Sequence, residues 1–447
     1  MRILHVTHQF LPETYGGVEV YVRDLAKRQQ AAGHDVEILA GTMRSLPEVA
    51  VQAGEFEGLS VSRIFRRDLY SDSWDKLYCP ETSRAFRALL AEKKPEIVHI
   101  HHWIRLSADL AQAAKESGAR VVLTLHDFAL SCPRCFRMRP DETSCFRELG
   151  VASCLDCVPR RPWQDDAEIS ESIEAFRLDT LAELGAADAV VCAVTSVRDL
   201  FARFVGTPPD RFEIAPLGYA DRFGAVAKAP EDQAAVRFGF WGAITPRKGV
   251  HLLIEAVRRL AAAENGVDPP FTLEIFGSFD LPERETEYRA LAEGLPIRFH
   301  GRFQVGDIAG IGLAAAVFPS ICLETYGLVL DEALELGVPV IVPDAGAMAE
   351  RAAGRCLTFR MQDVADLTEK MAAVRRSAEL RAALRRAEAF KPATDVEHHR
   401  RISEIYERVL ARPSLPNESA VRPEERILRM ARQSERRFRR LIERDGP

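Results

Sequence analysis

Short apolar runs alternate with amphipathic stretches over most of this chain, and their order predicts its architecture. Residues 1–7 read as a buried strand, followed by a loop holding Pro12, Gly16 and Gly17. A helix comes next, with Val20, Tyr21, Leu25 and Ala26 on one face and Gly33 as its stop. The run Asp35–Ala40 (DVEILA) is the following strand. Strand, glycine loop, helix and strand in this order open a doubly wound sheet. Further short apolar runs, Glu96–Ile100, Arg120–Leu125 and Ala189–Ala193, extend it. Around residues 213–235 the texture changes to small residues and proline, and a second series starts. It holds strands at Phe238–Trp241, Phe271–Phe276, Ile297–His300, Ala315–Pro319 and Val338–Val342, an amphipathic helix at Val250–Ala263 and another helix up to Leu336.

The expected fold class is therefore α/β, with two Rossmann-like doubly wound domains facing a cleft. Residues 1–220 form the first domain, with a cysteine-rich insertion at 131–160. Residues 221–235 are a linker and 236–395 the second domain. Residues 396–412 are expected as a helix returning to domain one, and 413–447 as a linker and a basic amphipathic tail. A length of 447 residues suits two domains plus extensions. With 47% hydrophobic and 28% charged residues the chain reads as soluble and globular. The formal net charge of −6 argues against nucleic acid as a partner. The opening apolar run is too short for a signal peptide, and no stretch approaches the roughly 20 apolar residues of a membrane span. A cytoplasmic location is expected.

Three clusters carry chemistry. Gly16 and Gly17 stand between a strand and a helix, where glycine allows close backbone approach and the helix N-terminus favours phosphate. A plain tight turn is the other reading, and the G-x-G-x-x-G spacing of nicotinamide enzymes is absent. Pro246-Arg247-Lys248-Gly249 puts two cations at the carboxyl end of a strand, where open α/β sheets bind ligands. They would stabilise the charge of a departing diphosphate, or form only a solvated basic turn. The third is Glu324-Thr-Tyr-Gly-Leu-Val-Leu-Asp-Glu332, with the helix expected from near Thr325 or Tyr326 to Gly337. Eight helical residues would separate the two carboxylates by about 12 Å. Each carboxylate accepts hydroxyl hydrogen bonds, and the amides of Tyr326, Gly327 and Leu328 would meet phosphate or sugar oxygens at the helix start.

These motifs identify the chain as similar to the family 4 retaining glycosyltransferases of the two-domain GT-B fold. The resemblance rests on FLPETYGGVEVYV, LTLHDF, WGAITPRKGVHLLIEAV, the E-x7-E stretch and GVPVIVPDAGAMAE, over about residues 1–410. It implies a nucleotide-diphosphate sugar as donor and a hydroxyl acceptor on a glycan, a lipid-linked sugar or a small molecule, in cell-surface polysaccharide or glycoconjugate synthesis. It implies that Gly16 and Gly17 face the donor phosphates and acceptor, that His126 lies near the transferred sugar, and that Lys248 binds the diphosphate, with Arg247 beside it. Glu324 would lie near the donor sugar and Glu332 would grip the ribose. Configuration is retained and no catalytic metal is expected. Many members have Gly-Arg where this chain has Gly242-Ala243, which removes one cation from the diphosphate site. An epimerase, which needs a donor but no acceptor, and a donor-binding pseudoenzyme, for which Ala243 gives a motive, are the alternatives.

Two features fall outside that frame. Of nine cysteines, five lie in Cys132-x2-Cys135-x9-Cys145-x8-Cys154-x2-Cys157. Two C-x2-C pairs in a cytosolic chain fit a structural zinc held by Cys135, Cys145, Cys154 and Cys157, with Cys132 spare; a set of reduced buried thiols is the other reading. His99, His101 and His102 resemble a metal cluster, but alternation puts only His99 and His101 on one face, which favours structural or acceptor-side roles. The tail, residues 422–444, holds nine arginines against four glutamates. Ile427, Met430, Ala431, Phe438, Leu441 and Ile442 recur at helical spacing. A basic amphipathic helix suits peripheral contact with the inner face of a membrane, or packs on its own protein.

Overall fold

The structure, a computed structural model, describes all residues except 69–72, 221, 225, 232–233, 264–267, 353, 389–390, 415, 418 and 445–447. Four positions of the expected linker and the last three of the tail thus lie outside the described residues. Eight strands form the first sheet: β1 (Arg2–Thr7), β2 (Asp35–Ala40), β3 (Ala50–Phe56), β4 (Leu59–Phe65), β5 (Ile97–Ile100), β6 (Arg120–Thr124), β7 (Ala189–Cys192) and β8 (Phe212–Ile214). Their order is β3-β4-β2-β1-β5-β6-β7-β8. All neighbours are parallel except β3 and β4. Helices cover both faces of such a sheet, which is why β5 and β7 are buried at every residue. The β3–β4 hairpin turns at Glu57 and Gly58, both with positive φ (51° and 81°), as a two-residue hairpin turn requires.

After a short strand β9 (Gly218–Tyr219) the chain enters the second sheet. Its strands are β10 (Val236–Trp241), β11 (Phe271–Phe276), β12 (Ile297–Gly301), β13 (Ala315–Val317), β14 (Val340–Pro343) and β15 (Cys356–Phe359). They are parallel, in the order β12-β11-β10-β13-β14-β15. In both sheets the strand order reverses beside the first strand, which makes a switch point of the kind at which open α/β sheets bind ligands. A last strand, β16 (Ala393–Thr394), pairs with β9, and the helix Asp395–Ala411 returns to domain one. There Ile402, Ile405, Tyr406 and Val409 join Ile3, Val36 and Val191 in one core.

The tail helix, Pro423–Arg444, docks with Arg426, Arg437 and Arg440 facing inward. Arg426 meets Asp179 at 2.8 Å, Arg437 meets Glu168 at 2.6 Å and Arg440 meets Asp165 at 2.6 Å, all on or capping the helix Asp166–Ala186. Ile427, Leu428, Phe438 and Ile442 face solvent, and the Leu441 side chain lies outside the described residues. Part of the cationic face that the sequence offers to a membrane is thus occupied by the protein's own acids, while Arg432 and Arg439 stay exposed. Among the described residues no helix is long and apolar enough to cross a membrane.

Candidate functional site

In domain two the turn after β10 carries Lys248 toward the loop after β13. Gly249 makes this turn with φ +69°, and a Cβ there would lie 2.0 Å from the Pro319 carbonyl oxygen. Lys248 Nζ donates to Glu324 Oε1 at 2.6 Å, and the Ser320 hydroxyl donates to the same oxygen at 2.9 Å. Burial pushes the Glu324 carboxyl up, but the Lys248 ammonium, Ser320 and Arg247 outweigh it and hold the group below its ordinary value. Arg247 itself turns away, its guanidinium 3.8 Å from the ring centre of Phe136 in the cysteine-rich insertion. Ala243 is exposed and offers no cation.

The E-x7-E stretch differs from its expected form. The helix begins at Leu328, after Gly327 in the left-handed region at φ +80°, so Glu324 to Gly327 are not helical and the 12 Å helical spacing does not apply. Arg351 braces this turn: its guanidinium, buried beside Asp331 and stacked on Tyr326, donates to the carbonyls of Tyr326 (2.8 Å) and Gly327 (3.2 Å). With those carbonyls held from behind, the amides of Tyr326, Gly327 and Leu328 have no partner among the described residues. Glu332 is 8% exposed and already engaged, accepting from Trp241 Nε1 at 2.7 Å and Arg222 Nη1 at 2.6 Å. Burial pushes its carboxyl up. Two of a carboxylate's acceptor positions are thus taken. Pattern alone does not single out Trp241, Arg222 or Ser320. Trp241 at a strand's carboxyl end is the one signal available, since Arg222 sits in a stretch that reads as linker.

In domain one the helix Gly17–Ala31 starts directly after the glycine loop. Gly16 has an ordinary extended backbone, and a Cβ there would stand 2.5 Å from the Glu19 carboxylate, which would have to shift. Gly17 faces domain two, its virtual Cβ 4.0 Å from Leu328 Cδ1. The start of this helix therefore confronts the start of the helix Leu328–Glu335 across the cleft. A cavity of about 260 Å³ beside them is lined by Gly17, Tyr21, Arg222, Leu328 and His398. A larger one, about 550 Å³, lies away from all these groups, under the tail helix. His126, half-buried after β6, receives a 2.5 Å hydrogen bond on its carbonyl from the Thr325 hydroxyl of domain two. Its Nε2 lies 3.0 Å from His101 Nδ1. His5, His99 and His101 offer nitrogens within 4.8 Å of one another, but each ring is already hydrogen-bonded.

The cysteine-rich insertion bridges the cleft: Ser144 Oγ donates to the Ile321 carbonyl at 2.6 Å, and Gln362 Nε2 to the Glu142 carbonyl at 2.7 Å. All nine cysteines are free. Cys145 is near enough to Cys132, Cys154 and Cys157 to act on each electrostatically, although among the described residues no three thiols lie within 4.8 Å of one another. The hub is instead Arg137, 1% exposed, which donates to the carbonyls of Ser131 (2.8 Å), Cys145 (3.2 Å) and Arg147 and stacks on Phe204. A guanidinium with several donors can tie an irregular loop together by its carbonyls without thiolate ligands.

Comparison with known proteins agrees with this two-domain plan. Residues 15–221 match the model described as Glycosyltransferase Family 4, and residues 235–376 that of Glycosyl transferases group 1. D-inositol 3-phosphate glycosyltransferase of Gordonia bronchialis is 28% identical over 362 residues, 76% of this chain and 71% of that protein. Among solved structures, a trehalose-phosphate synthase of Burkholderia xenovorans superposes with TM-score 0.62 at 14% identity, over 91% of this chain and 100% of that one. The Anabaena HepE protein in complex with UDP and glucose does so with TM-score 0.59 at 15% identity, over 91% and 100%.

Proposed function

Starting from a chain that belongs to family 4 of the glycosyltransferases and has their GT-B fold, we propose that it transfers a sugar, with retained configuration and without a catalytic metal, from a nucleoside-diphosphate sugar to a hydroxyl acceptor. The observation that carries this is the pairing of Lys248 with Glu324 beside three unpartnered amides, on the side of the cleft that Gly17 faces. Lys248 and those amides would hold the diphosphate, and fixed donors stabilise the charge that grows on it as it leaves. Glu332, set by Trp241 and Arg222, would keep an acceptor position for the ribose. The acceptor oxygen forms the new bond to the anomeric carbon as the bond to the diphosphate breaks. The electron pair leaves on the diphosphate, and a diphosphate oxygen on the same face takes the acceptor's proton.

A panel of nucleotide sugars, followed by proton NMR, tests this. One donor should hydrolyse slowly with the α or β configuration kept, faster with the right acceptor, and Lys248→Ala should abolish most of that turnover. Inverted product, or full turnover in the variant, would overturn the reading. Peripheral membrane contact belongs to it as well, now through the outward residues Ile427, Leu428, Phe438 and Ile442 rather than the arginines. Co-sedimentation with anionic vesicles should fall for a chain ending at Arg412, and equal recovery of both chains refutes it.

A further inference from the structure

His126 continues inward as a line of hydrogen bonds. Its Nε2 lies 3.0 Å from His101 Nδ1, His101 Nε2 lies 3.0 Å from His5 Nδ1, and His5 Nε2 lies 2.7 Å from Gln29 Oε1. Burial pushes His5 down to about 4 and His126 to about 3, and His101 lies far below its ordinary value for the same reason. Each ring is therefore neutral at pH 7, with one N–H and one bare nitrogen, and the partner of one nitrogen dictates the state of the other.

Only two directions are self-consistent. If Gln29 presents its carbonyl, His5 carries its proton on Nε2 and accepts on Nδ1. His101 then donates from Nε2 and accepts on Nδ1, His126 donates from Nε2, and His126 Nδ1 is bare. If Gln29 presents its amide, every tautomer reverses and His126 Nδ1 carries the proton.

The far end of the Gln29 side chain selects between them. Gln29 Nε2 lies 3.4 Å from the Tyr406 hydroxyl, which is 2.6 Å from His99 Nδ1, and His99 Nε2 is 2.7 Å from Thr124 Oγ1. Beside this line the Tyr21 hydroxyl lies 2.9 Å from His398 Nε2. His398 Nδ1 is 2.7 Å from the Pro216 carbonyl. A backbone carbonyl can only accept, and burial keeps His398 neutral by pushing it down to about 4. His398 therefore holds its proton on Nδ1 and accepts from Tyr21. Gln29 stands with Oε1 toward His5 and Nε2 toward the Tyr406 hydroxyl, so Tyr406 donates to His99 Nδ1 and His99 Nε2 donates to Thr124. Tyr406 accepts from the Gln29 amide, which leaves the Gln29 carbonyl for His5.

At the cleft end, His126 Nδ1 has no partner among the described residues and is not sealed from solvent. We propose that Gln29 is a positioning residue: acting through His5 and His101, it holds His126 with Nδ1 bare, so that His126 meets a sugar hydroxyl as a hydrogen-bond acceptor. The sugar in this statement rests on the glycosyltransferase reading, whereas the tautomer does not. The experiment is therefore done on the full chain without donor, by imidazole ¹⁵N–¹H NMR of ¹⁵N-histidine protein, with His126→Gln for assignment. Wild type and Gln29→Glu, which keeps an acceptor toward His5, should show His126 protonated on Nε2 alone. Gln29→Met should show a mixture of tautomers. Protonated Nδ1 in wild type overturns the proposal, as does an unchanged His126 signal in folded Gln29→Met. So does a metal ion found on His5, His99 and His101 by elemental analysis, because it would break the line. With an active donor from the panel, turnover should fall several-fold in Gln29→Met and recover in Gln29→Glu; loss of activity with the predicted tautomers present would count against the transfer reading alone.

Discussion

Replacing Lys248 by Met tests the centre of domain two's site through its dependence on pH. Lys248 and Ser320 are the side chains that bond the Glu324 carboxylate, at 2.6 and 2.9 Å. Breaking a buried ion pair by removing one partner costs about 3–5 kcal/mol. The Lys248 side chain is 34% exposed, so water screens the pair and the cost falls to about 1–3 kcal/mol. For a domain of this size that corresponds to roughly 4–8 °C in melting temperature near the middle of the range. The sign with pH follows from the carboxyl. In the native protein it lies below its ordinary value, so its contribution is present above about pH 4.3 and is lost only as pH falls through the lower, folded value. Without the ammonium, burial dominates and raises the carboxyl. The variant then carries the full cost at pH 8, while at pH 5 protonation of Glu324 relieves part of it. The melting gap between wild type and Lys248→Met, read by calorimetry, should be wide at pH 8 and narrower at pH 5. An equal or wider gap at pH 5 would refute the reasoning.

Gly249→Ala should lower stability by about 2–4 kcal/mol and remove nucleotide-sugar turnover, because the new Cβ meets the Pro319 carbonyl at 2.0 Å; a melting curve like wild type would contradict this. Arg137→Leu should cost about 3 kcal/mol, and Arg137→Lys should not restore it, since one ammonium cannot serve three separated carbonyls. Elemental analysis tests the expected zinc on Cys135, Cys145, Cys154 and Cys157: about one zinc per chain supports it, and metal-free, stable protein leaves Arg137 as the tie of the loop. A chain ending at Arg412 should melt earlier than the full chain, because Glu168, whose side chain is 0% exposed, and Asp179 lose their arginines; identical melting would mean that the tail adds nothing to domain one.

The doubly wound plan is legible in the sequence because parallel strands buried on both faces leave short, dense apolar runs. Asp35–Ala40 and Phe271–Phe276 stand in the structure with those same bounds. The β3–β4 hairpin is not legible, because β3 reads AVQAGEF and is exposed over most of its length. Its place comes from pairing with β4, a relation between segments rather than a pattern within one. The same holds at the site. The spacing of Glu324 and Glu332 is visible, but the non-helical turn between them is held by Arg351, a distant residue whose guanidinium reaches back to two carbonyls. The shared face of His99 and His101 follows from alternation, whereas His5 joins them only through the β1–β5 register, which sets His5 against His99.

The tail marks the limit of reading amphipathicity from a pattern. Its sequence says that one face is apolar and the other cationic, and nothing in it says which face is covered. The answer lies some 250 residues earlier, where Asp165, Glu168, Glu171 and Asp179 present acids at matching positions. Glu168 accepts from both Arg437 and Arg440, so its charge is answered twice, which a buried carboxylate needs and a surface pair does not. The consequence is an apolar stripe turned outward: Ile427, Leu428, Phe438 and Ile442 are between 49% and 65% exposed. Fully covering a large apolar side chain is worth about 1.5–3 kcal/mol, so the free chain forgoes several kcal/mol that any apolar contact would recover. Arg432 and Arg439 stand exposed alongside the stripe. A surface that is apolar inside and anionic at its boundary would satisfy both the stripe and its cationic border.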